Sequence, residues 1–128
     1  VRALIEHENA RGIPCARIFL AGFSQGGAVA YTSALTHPER LAGVIALSTY
    51  MPSAALVARE ATAANKALPV FAAHGTGDGV VSPRLGLQAR DFLMQHGYPV
   101  EWHEYPMEHA VCLEEIRAIG QWLTARLK

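Results

Sequence analysis

The 128-residue sequence is 51% hydrophobic and 17% charged, which excludes a disordered chain and fits one folded unit over residues 1–128 with a sizeable core. Its 11 Lys and Arg balance 11 Asp and Glu, giving zero formal net charge with no basic run, so no nucleic-acid partner is expected. No apolar stretch is long enough to span a bilayer, and no segment reads as a signal peptide.

The chain opens at Val1 without a Met, and Val1, Leu4 and Ile5 already have helical spacing, so the sequence reads as starting inside a domain. Residues 17–21 are a short apolar run bounded by Pro14 and Gly22, expected as a buried strand. Gln25–Thr36, rich in Gly, Ala and Ser, suits a helix pressed closely on a sheet. Residues 41–47 and 69–73 are further apolar runs, of the kind that forms parallel strands covered on both faces. Between them, residues 53–67 are Ala-rich and helical in character, without strong periodicity. Leu85, Ala89, Phe92 and Leu93 make an apolar helical stripe that should end near Gly97. From Val100 to Tyr105 polar residues fall on both faces, the mark of a sheet edge. Ile116, Ile119, Leu123 and Leu127 form the stripe of a last helix. Strands alternating with helices imply an α/β fold with a mostly parallel sheet and helices on both faces.

Cys15 and Cys112 are the only cysteines. One precedes the first strand and the other follows a loop expected at the far strand ends. A six-residue strand is about 20 Å long, beyond disulfide reach, so two free, buried thiols and a reducing, cytoplasmic setting are expected.

The first strand runs straight into Gly22-Phe23-Ser24-Gln25-Gly26-Gly27, which contains G-x-S-x-G at a strand-to-helix junction. A nucleophile elbow needs that position: the turn is so tight that side chains flanking the Ser would collide, so Gly stands on both sides. The competing reading is that the glycines only permit close packing while Ser24 caps the helix. A serine hydroxyl needs a base. Of six histidines, His7, His37 and His96 lie in or at the ends of helices and read as surface or capping residues, and His103 lies on the edge strand. His74 and His109 follow strand C-termini, the rim where open α/β sheets place their sites. His74, at the end of a buried strand, reads as a hydrogen-bonded structural residue, leaving His109 as the base. The base needs an acid to hold its tautomer. There are two Asp residues. Asp91 sits beside Arg90 on a helix surface, whereas Asp78 lies in the Gly-rich loop after the third strand. Ser24, Asp78 and His109 thus share one rim in the order Ser, Asp, His. His103, Glu104, Glu108 and His109 lack the helical pairing of a metal motif, and no dinucleotide or phosphate loop is present, so neither metal nor cofactor is expected.

At these residues the sequence resembles the phospholipase/carboxylesterase family, bacterial carboxylesterases in particular. Gly22–Gly27 matches the nucleophile motif. His74-Gly75, Asp78 and Val80-Val81 resemble the acid loop, and Met107-Glu108-His109 with Cys112-Leu113-Glu114-Glu115-Ile116 resembles the histidine segment. Residues 47–52 are similar to the loop after the next strand in bacterial members. The resemblance implies an α/β-hydrolase fold whose N-terminal part is absent from this chain. It also implies an acyl-enzyme on Ser24 and cleavage of carboxylic esters, lysophospholipids or S-acyl thioesters. The Gln25 amide would be one oxyanion donor, the other coming from the absent part. Met51 and Pro52 follow a strand end and are candidates to line an apolar acyl pocket, the alternative being plain packing. The strand over residues 17–21 would then have an unpaired apolar edge, inviting a second copy of the chain or the missing segment as partner. The alternative is an inactive α/β fragment or non-catalytic binding domain that needs its missing half.

Overall fold

The computed structural model describes residues 1–127. Its elements are α1 (Arg2–Ala10), β1 (Phe19–Phe23), α2 (Gln25–Thr36), β2 (Gly43–Leu47), α3 (Ala54–Glu60), β3 (Val70–Gly75), α4 (Pro83–Gln95), β4 (Val100–Tyr105) and α5 (Leu113–Arg126). The strands form one parallel sheet in the order β1-β2-β3-β4, with Ala21 opposite Ile45, Ile45 opposite Phe71 and Phe71 opposite Glu101. Each crossover carries a helix, as parallel neighbours require.

Period-two alternation sends successive strand residues to two separate cores. Val44, Ala46, Val70 and Ala72 pack with Ile5, Tyr31, Leu35, Val57 and Leu93, so α1 to α4 contribute to the core on one face. Ile45, Phe71 and Ala73 face the other way, onto Tyr105 of β4 and Trp122 of α5. Helices therefore cover both faces, and the small residues of α2 let it sit close: Gly27, Ala28, Ala30 and Ala34 are all buried. Pro83 at the first turn and the Ser82 hydroxyl, which accepts from the Arg84 amide, start α4. Gly97, with φ +83°, ends it. No helix among the described residues is long and apolar enough to cross a membrane.

Several elements differ from the sequence expectation. β1 begins two residues late because Cys15–Arg17 winds into a short 3-10 turn. β3 runs on through His74 and Gly75, since the imidazole is itself buried and the chain stays extended to its end. The Ala-rich 53–67 segment splits into α3 and a 3-10 turn at Ala63–Asn65. His37 caps the C-terminus of α2 as expected but is buried rather than on the surface. The stripe of α5 is rotated: Ile116 and Leu127 are exposed, and Glu115 and Trp122 face the sheet with Ile119 and Leu123 beside them. Trp122 sets that phase, standing edge-on to both Phe19 and Phe71 at centroid distances of 5.7 and 6.0 Å. Gly43 makes room for it, because a Cβ there would lie 2.8 Å from the indole. Cys112 is only half-buried, and both thiols are free.

Gly120 lies in the interior of α5, is exposed, and a Cβ there would meet nothing within 4 Å. Gly120→Ala is therefore expected to raise the unfolding free energy by about 1 kcal/mol, read from urea denaturation; an unchanged midpoint would contradict the packing described for α5.

Candidate active site

β1 ends by driving the chain into a forbidden corner. Ser24 has φ +57° and ψ −124°, a conformation that costs an L-residue free energy of order 1–3 kcal/mol and persists only where its surroundings over-determine it. Here they do. The Ser24 amide donates to the Leu47 carbonyl at 2.9 Å. Its own carbonyl accepts from the amides of Gly27 and Ala28 and from the Thr49 hydroxyl. The first turn of α2 then folds back against β1, so that a Cβ on Gly22 would lie 2.2 Å from the Gly26 carbonyl. A Cβ on Gly27 would strike the Thr49 side chain at 2.6 Å.

Gly26 differs from its expected role. A Cβ there meets no atom within 4 Å, so the constraint falls on Gly22 and Gly27 rather than evenly on both sides of the serine. The capping alternative also fails: Ser24 makes no side-chain hydrogen bond to the first turn of α2. Its Oγ instead lies 3.1 Å from Nε2 of His109.

The loop after β3 presents Asp78. Its Oδ1 accepts from the amides of Val80 and Val81, both at 2.8 Å, and its Oδ2 lies 2.7 Å from Nδ1 of His109. Burial pushes this carboxyl upward. The hydrogen bonds from His109, Val81 and Val80 and the His109 charge outweigh it, and the group is held below the usual carboxylate range. His74 is buried, as expected of a structural residue: Nε2 is 2.8 Å from the Val81 carbonyl and 3.4 Å from Asp78 Oδ2. It braces the acid loop from beneath.

His109 follows β4 on a segment that lies directly over β3. A Cβ on Gly75 would meet the carbonyl oxygens of Glu108 and Met107 at 2.3 and 2.4 Å, and the Gly77 amide donates to Met107 at 3.0 Å. The Phe23 ring lies against the imidazole, with centroids 4.6 Å apart. Ser24, His109 and Asp78 thus form an unbroken hydrogen-bonded chain across three loops. The arrangement can move a proton from a hydroxyl to an imidazole steadied by an ionised carboxylate.

Gln25 supplies the first amide of α2, which has no helical carbonyl to bond and points from the positive end of the helix dipole. Met51 packs against the core of α1 to α4, whereas its neighbours Tyr50 and Pro52 line a cavity of about 300 Å³ with Gln25, Ala28 and Val29. His103, Glu104, Glu108 and His109 do not converge: His103 lies 2.8 Å from Glu101 and stacks on Phe71, while His109 turns to Asp78. Thr49 was not singled out in the sequence, because a Thr holding another residue's carbonyl carries no local signature.

A model of the phospholipase/carboxylesterase family matches residues 1–127. Acyl-protein thioesterase 1 of Neurospora crassa is 47% identical over 129 residues, covering 97% of this chain and 52% of the relative. Carboxylesterase SOBER1 of Arabidopsis thaliana is 33% identical, covering all of this chain and 57% of the relative. The crystal structure of SOBER1 superposes with a TM-score of 0.92 over 98% of this chain and 60% of its own. The chain therefore has the α/β-hydrolase fold and spans between half and three-fifths of the length of these relatives.

Two outcomes follow from this geometry. Gly22→Ala should abolish folding or the Ser24–His109 contact, while Gly26→Ala should leave the unfolding free energy, read from urea denaturation, within about 1 kcal/mol of wild type despite its place in the motif; equal damage from both would refute the steric assignment. Because the Asp78 carboxyl titrates below its ordinary value of about 3.9, its stabilisation is complete above that pH and disappears as the pH falls through the folded-state value. Urea unfolding from pH 7 downward should show wild type more stable than Asp78→Asn at neutral pH, with the gap closing in acid; a pH-independent gap would contradict this.

Proposed function

The chain belongs to the phospholipase/carboxylesterase family, and from that premise we propose that it carries the nucleophile, base and acid of a serine hydrolase acting on acyl esters and thioesters. The observation that carries the reading is the continuous contact from Ser24 Oγ through both nitrogens of His109 to Asp78.

In this mechanism His109 Nε2 takes the Ser24 hydroxyl proton as Oγ attacks the acyl carbon. Asp78, ionised, holds the imidazole in the tautomer with Nδ1 protonated and stabilises its charged form. The Gln25 amide receives the negative charge that develops on the carbonyl oxygen, and a second donor comes from a segment outside residues 1–127. Collapse of the tetrahedral intermediate breaks the bond to the leaving oxygen or sulfur, and His109 passes that atom the proton. Water then attacks the acyl-enzyme with His109 again as base, releasing the acid and restoring Ser24. The apolar cavity bounded by Val29, Tyr50 and Pro52 beside Gln25 offers room for the acyl group. A thioester leaving group is favoured by the similarity to proteins named acyl-protein thioesterase, and an oxygen ester by those named carboxylesterase.

A second reading rests on the sheet edge. Among the described residues β1 pairs only with β2, and Phe23 at its end is 38% exposed, so one side of β1 is open for a further strand. In that reading the chain is an inactive fragment or non-catalytic binding domain whose open edge pairs with a further segment, from the parent protein or a second copy. The two free thiols are the only support for a reducing, cytoplasmic setting.

Hydrolysis of a chain-length series of p-nitrophenyl esters and acyl-thioesters tests both. Ser24→Ala should lower kcat/KM by about four to six orders of magnitude; near-normal turnover in that variant would rule the mechanism out. Hydrolysis restored by adding the upstream segment of the parent protein would support the first reading, whereas a tight but inert complex would support the second.

A further inference from the structure

We propose that Cys15, His37 and Glu39 form a zinc site at the end of the molecule opposite Ser24. Their donor atoms, Sγ, an imidazole nitrogen and a carboxylate oxygen, all lie within 4.8 Å of one another. It is the one such group among the described residues. The chain ordering hides it, since Cys15 sits on the turn before β1 and His37, 22 positions later, closes α2.

The distances match a tetrahedral ion. With Zn–S near 2.3 Å and Zn–N or Zn–O near 2.1 Å, sulfur and a first-row donor on the same zinc stand about 3.6 Å apart. Cys15 Sγ lies 3.7 Å from Nε2 of His37 and 3.5 Å from Oδ1 of Asn9. The Asn9 oxygen is aimed there because its Nδ2 donates to the Ile13 carbonyl at 2.9 Å. Cys15 and His37 therefore stand at ligand spacing, the Asn9 oxygen accepts from the thiol beside them, and Glu39, whose carboxylate is within 4.8 Å of both donors, is an exposed side chain free to close the remaining gap.

The backbone around these donors is fixed. Asn65, 1% exposed, donates from Nδ2 to the carbonyls of His37 and Glu39, both at 2.9 Å, and its Oδ1 accepts from the Leu41 amide at 2.8 Å. Thr62 adds a hydrogen bond to the His37 carbonyl at 2.8 Å. Four hydrogen bonds thus pin the short stretch that carries His37 and Glu39, which is the support that precise metal ligation requires. An open cleft of about 560 Å³, lined by Asn9, Cys15 and Glu39 among others, gives an ion access. Thiolate, imidazole and carboxylate together select a borderline ion such as zinc over magnesium or calcium.

On binding, zinc displaces the thiol proton, so Cys15–SH and aqueous zinc give the thiolate complex and one proton. The 12 residues of α2 separate this site from Ser24 by about 18 Å, so the ion takes no part in acyl transfer. It would tie the α1–β1 connection to the end of α2.

The test uses purified protein stripped with EDTA and titrated with Zn²⁺ or Co²⁺. Binding of one ion per chain is expected, with a melting temperature that rises with zinc concentration. The cobalt form should show thiolate-to-metal charge-transfer absorption in the near ultraviolet. That band should vanish in Cys15→Ser and persist in Cys112→Ser. Glu39→Gln, at an exposed position that does not threaten the fold, should weaken binding at least about tenfold. Absence of stoichiometric binding, or a cobalt thiolate band that survives Cys15→Ser, would overturn the proposal, as would full affinity in Glu39→Gln.

Discussion

The site rests on one close approach, that of the first turn of α2 to the last residues of β1. With no Cβ on Gly22, the Gly26 carbonyl can settle against the strand, and the chain must reverse within a single residue. That residue is Ser24, held at φ +57° by hydrogen bonds to both its amide and its carbonyl. The strain has a use. It lifts Oγ clear of the helix, so the hydroxyl meets His109 instead of capping the amides behind it, and it leaves the Gln25 amide free at the helix start. A relaxed turn would lose both consequences together.

Asp78 and His109 are brought together by a second close approach, between the ends of β3 and β4. Gly75 lets the Met107 and Glu108 carbonyls lie on the strand end, and this brings His109 back over the sheet. Asp78 meets it already committed. Two amides fix one oxygen, His74 braces the loop, and the remaining oxygen has His109 as its strongest partner. The Asp78 carboxyl is therefore held below the usual carboxylate range and fixed in place by these bonds. Each half of the site thus depends on a glycine in a strand end pressed by backbone from a neighbouring loop.

The sequence carried the chemistry more clearly than the packing. Ser24, Asp78 and His109 could be singled out because each residue type sits in a short loop after a strand, two of them apolar runs and the third the polar edge strand, a pattern set by chain order alone. Gln25–Thr36 and Val100–Tyr105 were legible to the residue, since a glycine-bounded start and two-faced polarity mark their limits. What escaped was anything fixed by distant neighbours. The rotation of α5 depends on Trp122 filling the space beside Phe19 and Phe71, which outweighs the apolar stripe of Ile116 and Leu127. The open environment of Gly26, the Thr49 contact and the meeting of Cys15 with His37 likewise arise only when the sheet assembles.

Contact of Ser24 Oγ with a base held by Asp78 implies a serine of raised reactivity. Intact-mass analysis after exposure to a fluorophosphonate tests it most directly, because the reagent marks only a serine whose proton is taken by a positioned base. A single adduct is expected, located by peptide mapping on Ser24. A folded protein that takes up no adduct, even with the upstream segment of its parent present, or an adduct mapped to another residue, would contradict it.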